Sequence, residues 1–279
     1  MRSAFISLVG RPNVGKSTLL NTLVGKKISI VSDKPQTTRT RVRGIVTSVE
    51  TQLVFVDTPG LHKATTALGK KVNTTALESM RDVDVVCLVL DATQTVGTGD
   101  KWVSDQLDIS KAFVVLNKID AVSQGKVLAQ LSMASSLGAA EYFPVSAKTG
   151  EGIETLLSAL RLRAVEGDAM FPAEMVSETP QAQWIAELVR EQLLAVTRDE
   201  LPYSIATRVT EWEWPRVRCE IIVERESQKG MVIGKSGQLL KKVGIETRKQ
   251  MPDGAFLELF VVVDKDWQHR AERVERLGY

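Results

Sequence analysis

Apolar and polar positions follow different patterns in the two halves of the chain. In the first half, short and mostly apolar runs have the length of strands in a sheet. The predicted strands lie at 4–9, 44–50, 52–56, 84–90, 112–116 and 142–145. Helical stretches are predicted at 18–23, in a polar region that ends near 81, and at 101–107, 124–137 and 152–163. Alternating strands and helices predict an α/β domain with a mostly parallel sheet, whose ligand site lies at the carboxyl ends of its strands.

The second half follows an irregular stretch that holds Gly167, Pro172 and Pro180. We predict a linker over 166–180, which separates a domain at 1–165 from a domain at 181–279. Apolar positions at helical spacing then predict a helix over 181–199, and alternating positions predict an antiparallel pair of strands. The pair lies at 204–212 and 216–226, with a further strand at 256–263 and an amphipathic helix at 266–277. The second domain is therefore predicted to be α+β.

Composition narrows the class of protein. A hydrophobic fraction of 43% and a charged fraction of 25% are typical of a soluble globular protein, and 279 residues suit two domains. The net charge of +2 excludes a polycation, so any nucleic-acid surface has to be a local patch. Cys87 and Cys219 lie in apolar runs without metal-ligand spacing, which favours buried thiols in a reducing compartment. We expect a cytoplasmic protein without a signal peptide or a membrane span.

The stretch Gly10–Ser17, with the sequence GRPNVGKS, lies between the first strand and the first helix. The spacing Gly-x-x-x-x-Gly-Lys-Ser allows backbone N–H groups to surround a phosphate, with Lys16 on the β and γ phosphates and Ser17 on Mg²⁺. The helix that follows adds the partial positive charge of its N-terminus. The alternative is an ordinary glycine turn before a helix.

Two further stretches suit the γ-phosphate and the metal. Residues 26–43 lack a helical or strand period and predict a mobile loop, in which Thr38 would complete the Mg²⁺ shell while the γ-phosphate is present. Asp57 ends an apolar strand and would reach Mg²⁺, and the N–H of Gly60 would contact the γ-phosphate. A solvated polar loop and a plain exit from a strand are the alternatives.

The stretch Asn117-Lys118-Ile119-Asp120 would select the base of a bound nucleotide. Guanine presents N1–H and the N2 amine side by side to one carboxylate, whereas adenine has an acceptor at N1 and no N2 amine. Asp120 would therefore favour guanine by about 10⁴-fold. Asn117 would brace the loop and the Lys118 stem would lie over the ring, although an Asn-Lys helix start is the alternative. Backbone N–H groups of Ser146-Ala147-Lys148 could contact guanine O6, but this tripeptide alone carries no weight.

These motifs, in this order and spacing, resemble the translation-factor-like class of GTPases over about residues 3–165. The resemblance implies the Ras-like P-loop NTPase fold with helices on both faces of the sheet, GTP or GDP with Mg²⁺, and the hydrolysis of GTP to GDP and phosphate. It implies catalytic roles for Lys16, Thr38 and Gly60, and metal binding by Ser17, Thr38 and Asp57. It implies nucleotide contacts at Gly10, Asn13, Val14, Gly15, Lys16, Ser17, Thr18, Asp57, Thr58, Pro59, Gly60, Asn117, Lys118, Asp120, Ser146, Ala147 and Lys148.

The chain departs from the Ras pattern at Leu61, where Ras-like switches carry a water-orienting glutamine. Hydrolysis is therefore expected to be slow in the isolated protein. Asn13, together with Thr37-Thr38-Arg39, resembles GTPases in which K⁺ lies where an arginine finger would, so K⁺ is a predicted further cofactor.

The stretch Gly234-Lys235-Ser236-Gly237 in the second half lies inside a basic segment. Residues 229–249 contain six Lys or Arg against Glu246 alone, a local net charge of +5. Helix, Gly-x-x-Gly, helix resembles the RNA clamp of the KH module, here of type II, and a solvated basic helix is the alternative. The resemblance implies RNA contacts at Lys229, Gly230, Ile233, Gly234, Lys235, Ser236, Gly237, Lys241 and Lys242. Trp212 and Trp214 are expected to be packing residues, with RNA stacking as the alternative.

A GTPase domain followed by a KH domain resembles the Era-type GTPases along essentially the whole chain. The resemblance implies a ribosome-assembly GTPase that binds the 3′ end of small-subunit 16S ribosomal RNA and the 30S subunit, with peripheral contact to the inner membrane. A monomer is predicted. Two other functions remain as alternatives: an RNA-binding module with a structural nucleotide pocket, and a membrane-peripheral signalling GTPase. The sequence shows no lipidation motif or strongly cationic amphipathic helix for the latter.

Overall fold

The computed structural model describes residues 1–61, 65–198 and 200–279. They divide into two compact units. Unit 1 comprises residues 1–31, 38–61 and 72–178, and unit 2 comprises 32–37, 65–71, 179–198 and 200–279. Within the described ranges, every helix is too short or too polar to cross a membrane.

The strands of unit 1 form one mostly parallel sheet, as the apolar runs predict. Their bounds are Arg2–Val9 (β1), Val42–Thr47 (β2), Thr51–Asp57 (β3), Val85–Asp91 (β4), Phe113–Asn117 (β5), Glu141–Pro144 (β6) and Val165–Glu166 (β7). The strand order is β2-β3-β1-β4-β5-β6, and β7 pairs with β1. Only the pairs β2–β3 and β1–β7 are antiparallel among these described strands.

Helices cover both faces of this sheet. Their bounds are Lys16–Val24 (α1), Ala67–Glu78 (α2, of which 72–78 belong to unit 1), Thr98–Ser104 (α3), Gln124–Ser135 (α4) and Ile153–Leu162 (α5). Alternate residues of β4 enter opposite cores, because successive side chains of a strand point to opposite faces. Cys87 and Val89 pack with α1 and α5, whereas Leu88 and Leu90 pack with α3 and α4.

The stretch predicted to be a linker lies along unit 1 as far as residue 178. The Gln52 side chain accepts from the N–H groups of Met170 and Phe171 at 2.8 and 3.0 Å and donates to the Phe171 carbonyl at 2.8 Å. The N–H of Ile45 donates to the carbonyl of Val176 at 2.9 Å. These contacts use backbone groups, so they leave no hydrophobic period in the sequence.

Unit 2 is an α+β unit with one three-stranded sheet in its described part. The strands are Ala206–Glu213 (β8), Arg216–Val223 (β9) and Phe256–Val263 (β10), in the order β10-β9-β8. β8 and β9 form the predicted antiparallel pair, and β10 is parallel to β9. The helices are Gln181–Val196 (α6), Leu201–Ser204 (α7), Glu226–Ile233 (α8), Gln238–Arg248 (α9) and Ala271–Arg276 (α10).

Several boundaries in unit 2 differ from the predictions, three of them by more than two residues. α6 ends at Val196 because Thr197 has extended backbone, and the predicted end at Asp199 lies outside the described residues. The last helix is preceded by a 3₁₀ turn at Trp267–His269, whose buried indole donates to the Ser204 carbonyl at 2.9 Å. The strand predicted to reach residue 226 ends at 223, where the chain turns into α8.

The expectation that both tryptophans near the end of β8 are packing residues is wrong, because both are exposed, Trp214 at 50% and Trp212 at 36%. The first residues of β8 are buried, whereas its last four are all exposed. The hydrophobicity of a residue does not show whether a helix packs over its part of the strand. The two cysteines are buried as expected, and burial raises the pKa of each thiol to about 12.

The loop predicted at 26–43 is irregular until β2 begins at Val42. Residues 32–37 belong to unit 2. There the fully buried guanidinium of Arg190 donates to the carbonyl of Thr37 and forms an ion pair with Glu187 at 2.5 Å.

Candidate functional site

The carboxyl ends of four parallel strands bring the predicted nucleotide residues to one edge of the unit 1 sheet. β1 leads into the loop Gly10–Ser17, β3 ends at Asp57, β5 ends at Asn117 and β6 precedes Ser146–Lys148. Parallel α/β sheets bind their ligands at this edge.

The loop Gly10–Ser17 lies tightly against the residues that follow β5. Gly15 precedes the first residue of α1 and has a φ of 95°, which favours glycine. A Cβ on Gly15 would lie 2.4 Å from the side-chain nitrogen of Asn117, so no side chain fits there. The N–H groups at the start of α1, which have no partner within the helix, lie behind a loop of fixed shape, which suits a phosphate.

Lys16 presents a buried positive charge inside this loop. Its Nζ donates to the carbonyls of Gly10 and Arg11 at 3.1 and 3.0 Å, and the residue is only 6% exposed. Burial lowers the pKa of the Lys16 ammonium to about 8, although the charge of Asp57 raises it. A phosphate at this place would stabilise the ammonium, because a buried charge needs an opposite charge nearby.

The three predicted metal ligands converge on one point. The Ser17 hydroxyl lies 2.8 Å from the Thr38 hydroxyl and donates to Asp57 Oδ2 at 2.7 Å, and Thr38 lies 3.4 Å from the same oxygen. Asp57 Oδ1 is buried and accepts no hydrogen bond from the described residues. Burial raises the pKa of Asp57, against the lowering effects of Lys16 and the hydroxyl donors. An all-oxygen set with one unused carboxylate oxygen fits Mg²⁺, which prefers hard oxygen ligands.

The segment after Asp57 carries Leu61 at the position where Ras-like switches have a water-orienting glutamine. Thr58 donates to the Leu8 carbonyl at 2.7 Å, and a Cβ on Gly60 would lie 2.7 Å from the Pro12 nitrogen. The next side chain, Leu61, is 3% exposed and belongs to the core cluster that contains Leu90. Leu61 therefore faces the core and cannot contact water at the phosphates.

The residues predicted for the base are linked to one another. Asn117 donates to the Val14 carbonyl at 3.0 Å and accepts from the Ala147 N–H at 3.0 Å. Ser146 donates to Asp120 Oδ1 at 2.7 Å, which leaves the exposed carboxylate oriented by its neighbour. Lys148 is exposed. These bonds fix the loops after β5 and β6 before any ligand binds.

In unit 2, the stretch Gly234–Gly237 joins the end of α8 to the start of α9 through a 3₁₀ turn. Lys235 and Ser236 are exposed, and Gly234 and Gly237 have φ values of 72° and 74°. In the part of the chain that the structure describes, no carboxylate forms an ion pair with any of four lysines. These are Lys229, Lys235, Lys241 and Lys242. The predicted RNA residues thus lie on this loop and on the two helices that flank it, and three of their four lysines are exposed.

Both units match families of known proteins. A family model described as a 50S ribosome-binding GTPase matches residues 5–118, and a KH-domain model matches residues 200–268. The GTPase Era of Heliobacterium modesticaldum is 41% identical over 291 aligned positions, which cover 100% of this chain and 97% of that protein. The GTPase Era of Mycobacterium tuberculosis is 43% identical and covers 99% of this chain and 98% of its own length. The chain belongs to the GTPase Era family.

Solved structures agree with this assignment. A crystal structure of Era in complex with MgGDPNP and nucleotides 1506–1542 of 16S ribosomal RNA has a TM-score of 0.96 and 35% identity, and covers 100% of this chain and 99% of its own. A structure of an Aquifex aeolicus Era variant bound to GDP and AlF₄⁻ has a TM-score of 0.95 and 35% identity, with the same coverage of both chains. The predicted fold, a Ras-like GTPase domain followed by a KH domain, is confirmed.

Sequence reasoning missed two residues at the nucleotide edge. Ser29 donates to Asp57 Oδ2 at 3.1 Å and is held in place by Asn21. Asp91 ends β4 and lies 2.6 Å from the Lys118 ammonium. No pattern pointed to Ser29, because it lies in an irregular loop. Asp91 could have been found, since an acid at the end of an apolar strand is the same feature that identified Asp57.

Proposed function

We propose that the protein is a GTP-hydrolysing switch that binds single-stranded 16S ribosomal RNA near its 3′ end and acts in small ribosomal subunit assembly. The observation that carries the proposal is the similarity along the whole chain to the Era complex with MgGDPNP and nucleotides 1506–1542 of 16S ribosomal RNA. The enclosed phosphate loop of unit 1 and the exposed basic loop of unit 2 supply the two binding surfaces that this function needs.

In this proposal, the loop Gly10–Ser17 and Thr18 hold the phosphates, and Lys16 contacts the β and γ oxygens. Ser17, Thr38 and Asp57 hold Mg²⁺, which supplies positive charge against the charge that develops on the transferred phosphoryl group. The Gly60 N–H donates to the γ-phosphate.

The base lies against Asp120 and the N–H groups of Ser146–Lys148, under the stem of Lys118. Replacing Asp120 by asparagine tests this assignment most sharply. The amide can accept from N1–H of xanthine and donate to its carbonyl at position 2, but it cannot accept from both N1–H and the N2 amine of guanine. We expect Asp120→Asn to lower GTP affinity on the order of 10³-fold and to create affinity for XTP. Displacement of bound GDP by GTP, XTP and ATP measures this, and the assignment is wrong if ATP displaces GDP from the unsubstituted protein as well as GTP does.

The RNA lies across the loop Gly234–Gly237 with its phosphates near Lys235, Lys241 and Lys242. Glycines allow close approach of a sugar-phosphate backbone, and adjacent helix ends favour phosphate. A labelled oligonucleotide with the 3′-terminal sequence of 16S ribosomal RNA is expected to bind more tightly than a scrambled control of equal composition. Equal affinity for the two would contradict RNA recognition, and the absence of GTP turnover would favour a structural nucleotide pocket.

We also propose a monomer in the cytoplasm that contacts the 30S subunit and associates peripherally with the inner membrane. The membrane part has its own test. Co-sedimentation with vesicles of inner-membrane lipids should exceed that of a protein of similar size and charge, and no excess would remove this part of the proposal.

A further inference from the structure

Asp91 is a buried carboxylate next to the residues predicted for the base. β4 and β5 are parallel neighbours, and Asp91 is the register partner of Asn117 at their common ends. The next residue after Asn117 is Lys118, so the register places Asp91 beside the Lys118 side chain. Asp91 is 8% exposed.

Among the residues that the structure describes, two donate to this carboxylate. Lys118 Nζ donates to Asp91 Oδ2 at 2.6 Å and to the carbonyl of Asn13 at 2.7 Å. The N–H and the hydroxyl of Thr93 donate to Asp91 Oδ1 at 2.8 and 2.6 Å. Burial acts to raise the pKa of Asp91, but Lys118 and Thr93 outweigh it and hold the pKa below its usual value. Asp91 is therefore ionised near neutral pH.

The Lys118 side chain needs such an anchor. Its backbone has a φ of 66°, a left-handed conformation that costs a non-glycine residue energy, and its side chain is 35% exposed. A lysine stem has several rotatable bonds, and a solvated ammonium would leave it free to move. The contacts with Asp91 and Asn13 instead hold the stem between the phosphate loop and the loop after β5.

We propose that Asp91 is a positioning residue for guanine nucleotides, which acts through Lys118 to hold the lysine stem where the purine ring lies. The inference rests on the proposed placement of Lys118 over the base. Asp91 does not touch the nucleotide, since its oxygens accept from this chain. It orders Lys118 before binding, so the nucleotide does not bear the entropy cost of ordering that side chain.

The test is calorimetric titration of GDP and IDP into Asp91→Asn and into a matched control, Asp108→Asn. Asp108 pairs with Lys111 on the surface of the same unit, so its variant also loses one negative charge. We expect Asp91→Asn to raise the dissociation constant of GDP about 10-fold, as for the loss of a charged hydrogen bond, and the control to leave it unchanged. IDP lacks the N2 amine that Asp120 recognises but keeps the purine ring. The ratio of IDP to GDP constants should therefore stay the same in Asp91→Asn, whereas general damage to the base loops would lower it.

A double-mutant cycle with Lys118→Gln separates the inference from the proposed function. If Asp91 acts through Lys118, then Asp91→Asn adds no loss of affinity in the Lys118→Gln background. Additive losses would overturn the inference while leaving Lys118 at the base. An unchanged GDP constant in Lys118→Gln alone would overturn both.

A second variant covers the case in which Asp91→Asn does not fold, as judged by its melting curve. Thr93→Val removes one donor to the carboxylate and leaves the Asp91–Lys118 ion pair. We expect it to raise the GDP constant about 3-fold. A constant equal to that of Asp108→Asn would show that the orientation of Asp91 has no bearing on the nucleotide.

Discussion

The two glycine loops of this protein have similar residues and opposite surroundings. In each unit, a left-handed glycine, Gly15 or Gly237, directly precedes a helix. A Cβ on Gly15 would lie 2.4 Å from Asn117, whereas a Cβ on Gly237 would have no described atom within 4 Å. The first loop is enclosed by the ends of neighbouring strands, and the second projects into solvent.

The lysines of the two loops show what enclosure does. Lys16 is buried, donates to two carbonyls and has its pKa lowered by desolvation, whereas Lys235 is exposed. A buried ammonium is stabilised by one phosphate group at one place, which suits a small ligand of fixed shape. An exposed lysine beside flexible single-stranded RNA attracts any phosphate that lies within the Debye length. If the proposed sites are right, similar loop residues give selectivity for a small ligand in unit 1 and tolerance of many phosphates in unit 2.

A matched pair of Gly→Ala variants tests whether enclosure makes the first loop less tolerant of an added side chain than the second loop. Gly15→Ala places a methyl group against Asn117 at a φ of 95°. We expect GTP affinity to fall about 100-fold or more, from overpacking and left-handed strain together. Gly237→Ala meets open space at a φ of 74°, so RNA affinity should fall less than about 5-fold. Titrations of GTP and of labelled RNA measure the two losses, and losses of equal size would mean that backbone strain alone explains both.

Replacing both Lys235 and Ser236 by aspartate tests whether the exposed loop of unit 2 binds RNA through its positive charge. The change removes one positive charge and adds two negative charges beside the RNA phosphates. We expect RNA affinity to fall about 30-fold near 0.1 M salt and to depend less steeply on salt. The fold should survive, since exposed substitutions usually cost within about 0.5 kcal/mol and aspartate tolerates the φ of 51° at Ser236.

Filter binding on protein with an unchanged melting curve measures this effect, and GTP affinity serves as the internal control because the proposed nucleotide residues all lie in unit 1. An unchanged RNA affinity would show that the basic segment is only a solvated face.

The same contrast explains how much the sequence could predict. The loop Gly10–Ser17 and the residues at 117–120 were predictable because their function needs particular residue types at fixed local spacing. The geometry of Asp91 was not, since it depends on the register of β4 against β5, which connects positions far apart in the chain. The path of 166–178 along unit 1 could not be predicted for a similar reason. Hydrogen bonds between its backbone groups and the distant residues Gln52 and Ile45 hold it there.

GTP turnover in K⁺ and in Na⁺ tests whether the enclosed loop also contributes to catalysis. Leu61 lies in the core and cannot orient water, and the charge that develops between the β and γ phosphates still has to be offset by a positive group. We expect GTP turnover to be about 10-fold faster in K⁺ than in Na⁺ at equal ionic strength, and Asn13→Ala to remove the difference. Phosphate release at saturating GTP measures both. Equal rates in the two salts would exclude a K⁺ ion in this role, and RNA affinity should respond only to ionic strength.

The smallest expected effect is a pH dependence that only the enclosed loop should show. Burial lowers the pKa of Lys16 to about 8, so its side chain in the free protein is mostly ammonium at pH 7 and mostly neutral amine at pH 8.5. Bound phosphate favours the charged form, so a proton must be taken up on binding at the higher pH. GTP affinity should therefore fall about 4-fold from pH 7 to 8.5. RNA affinity should stay constant over this range, because no buried ammonium takes part. A GTP affinity that also stays constant would mean that Lys16 keeps its proton, and that the loop is more open to water than its contacts indicate.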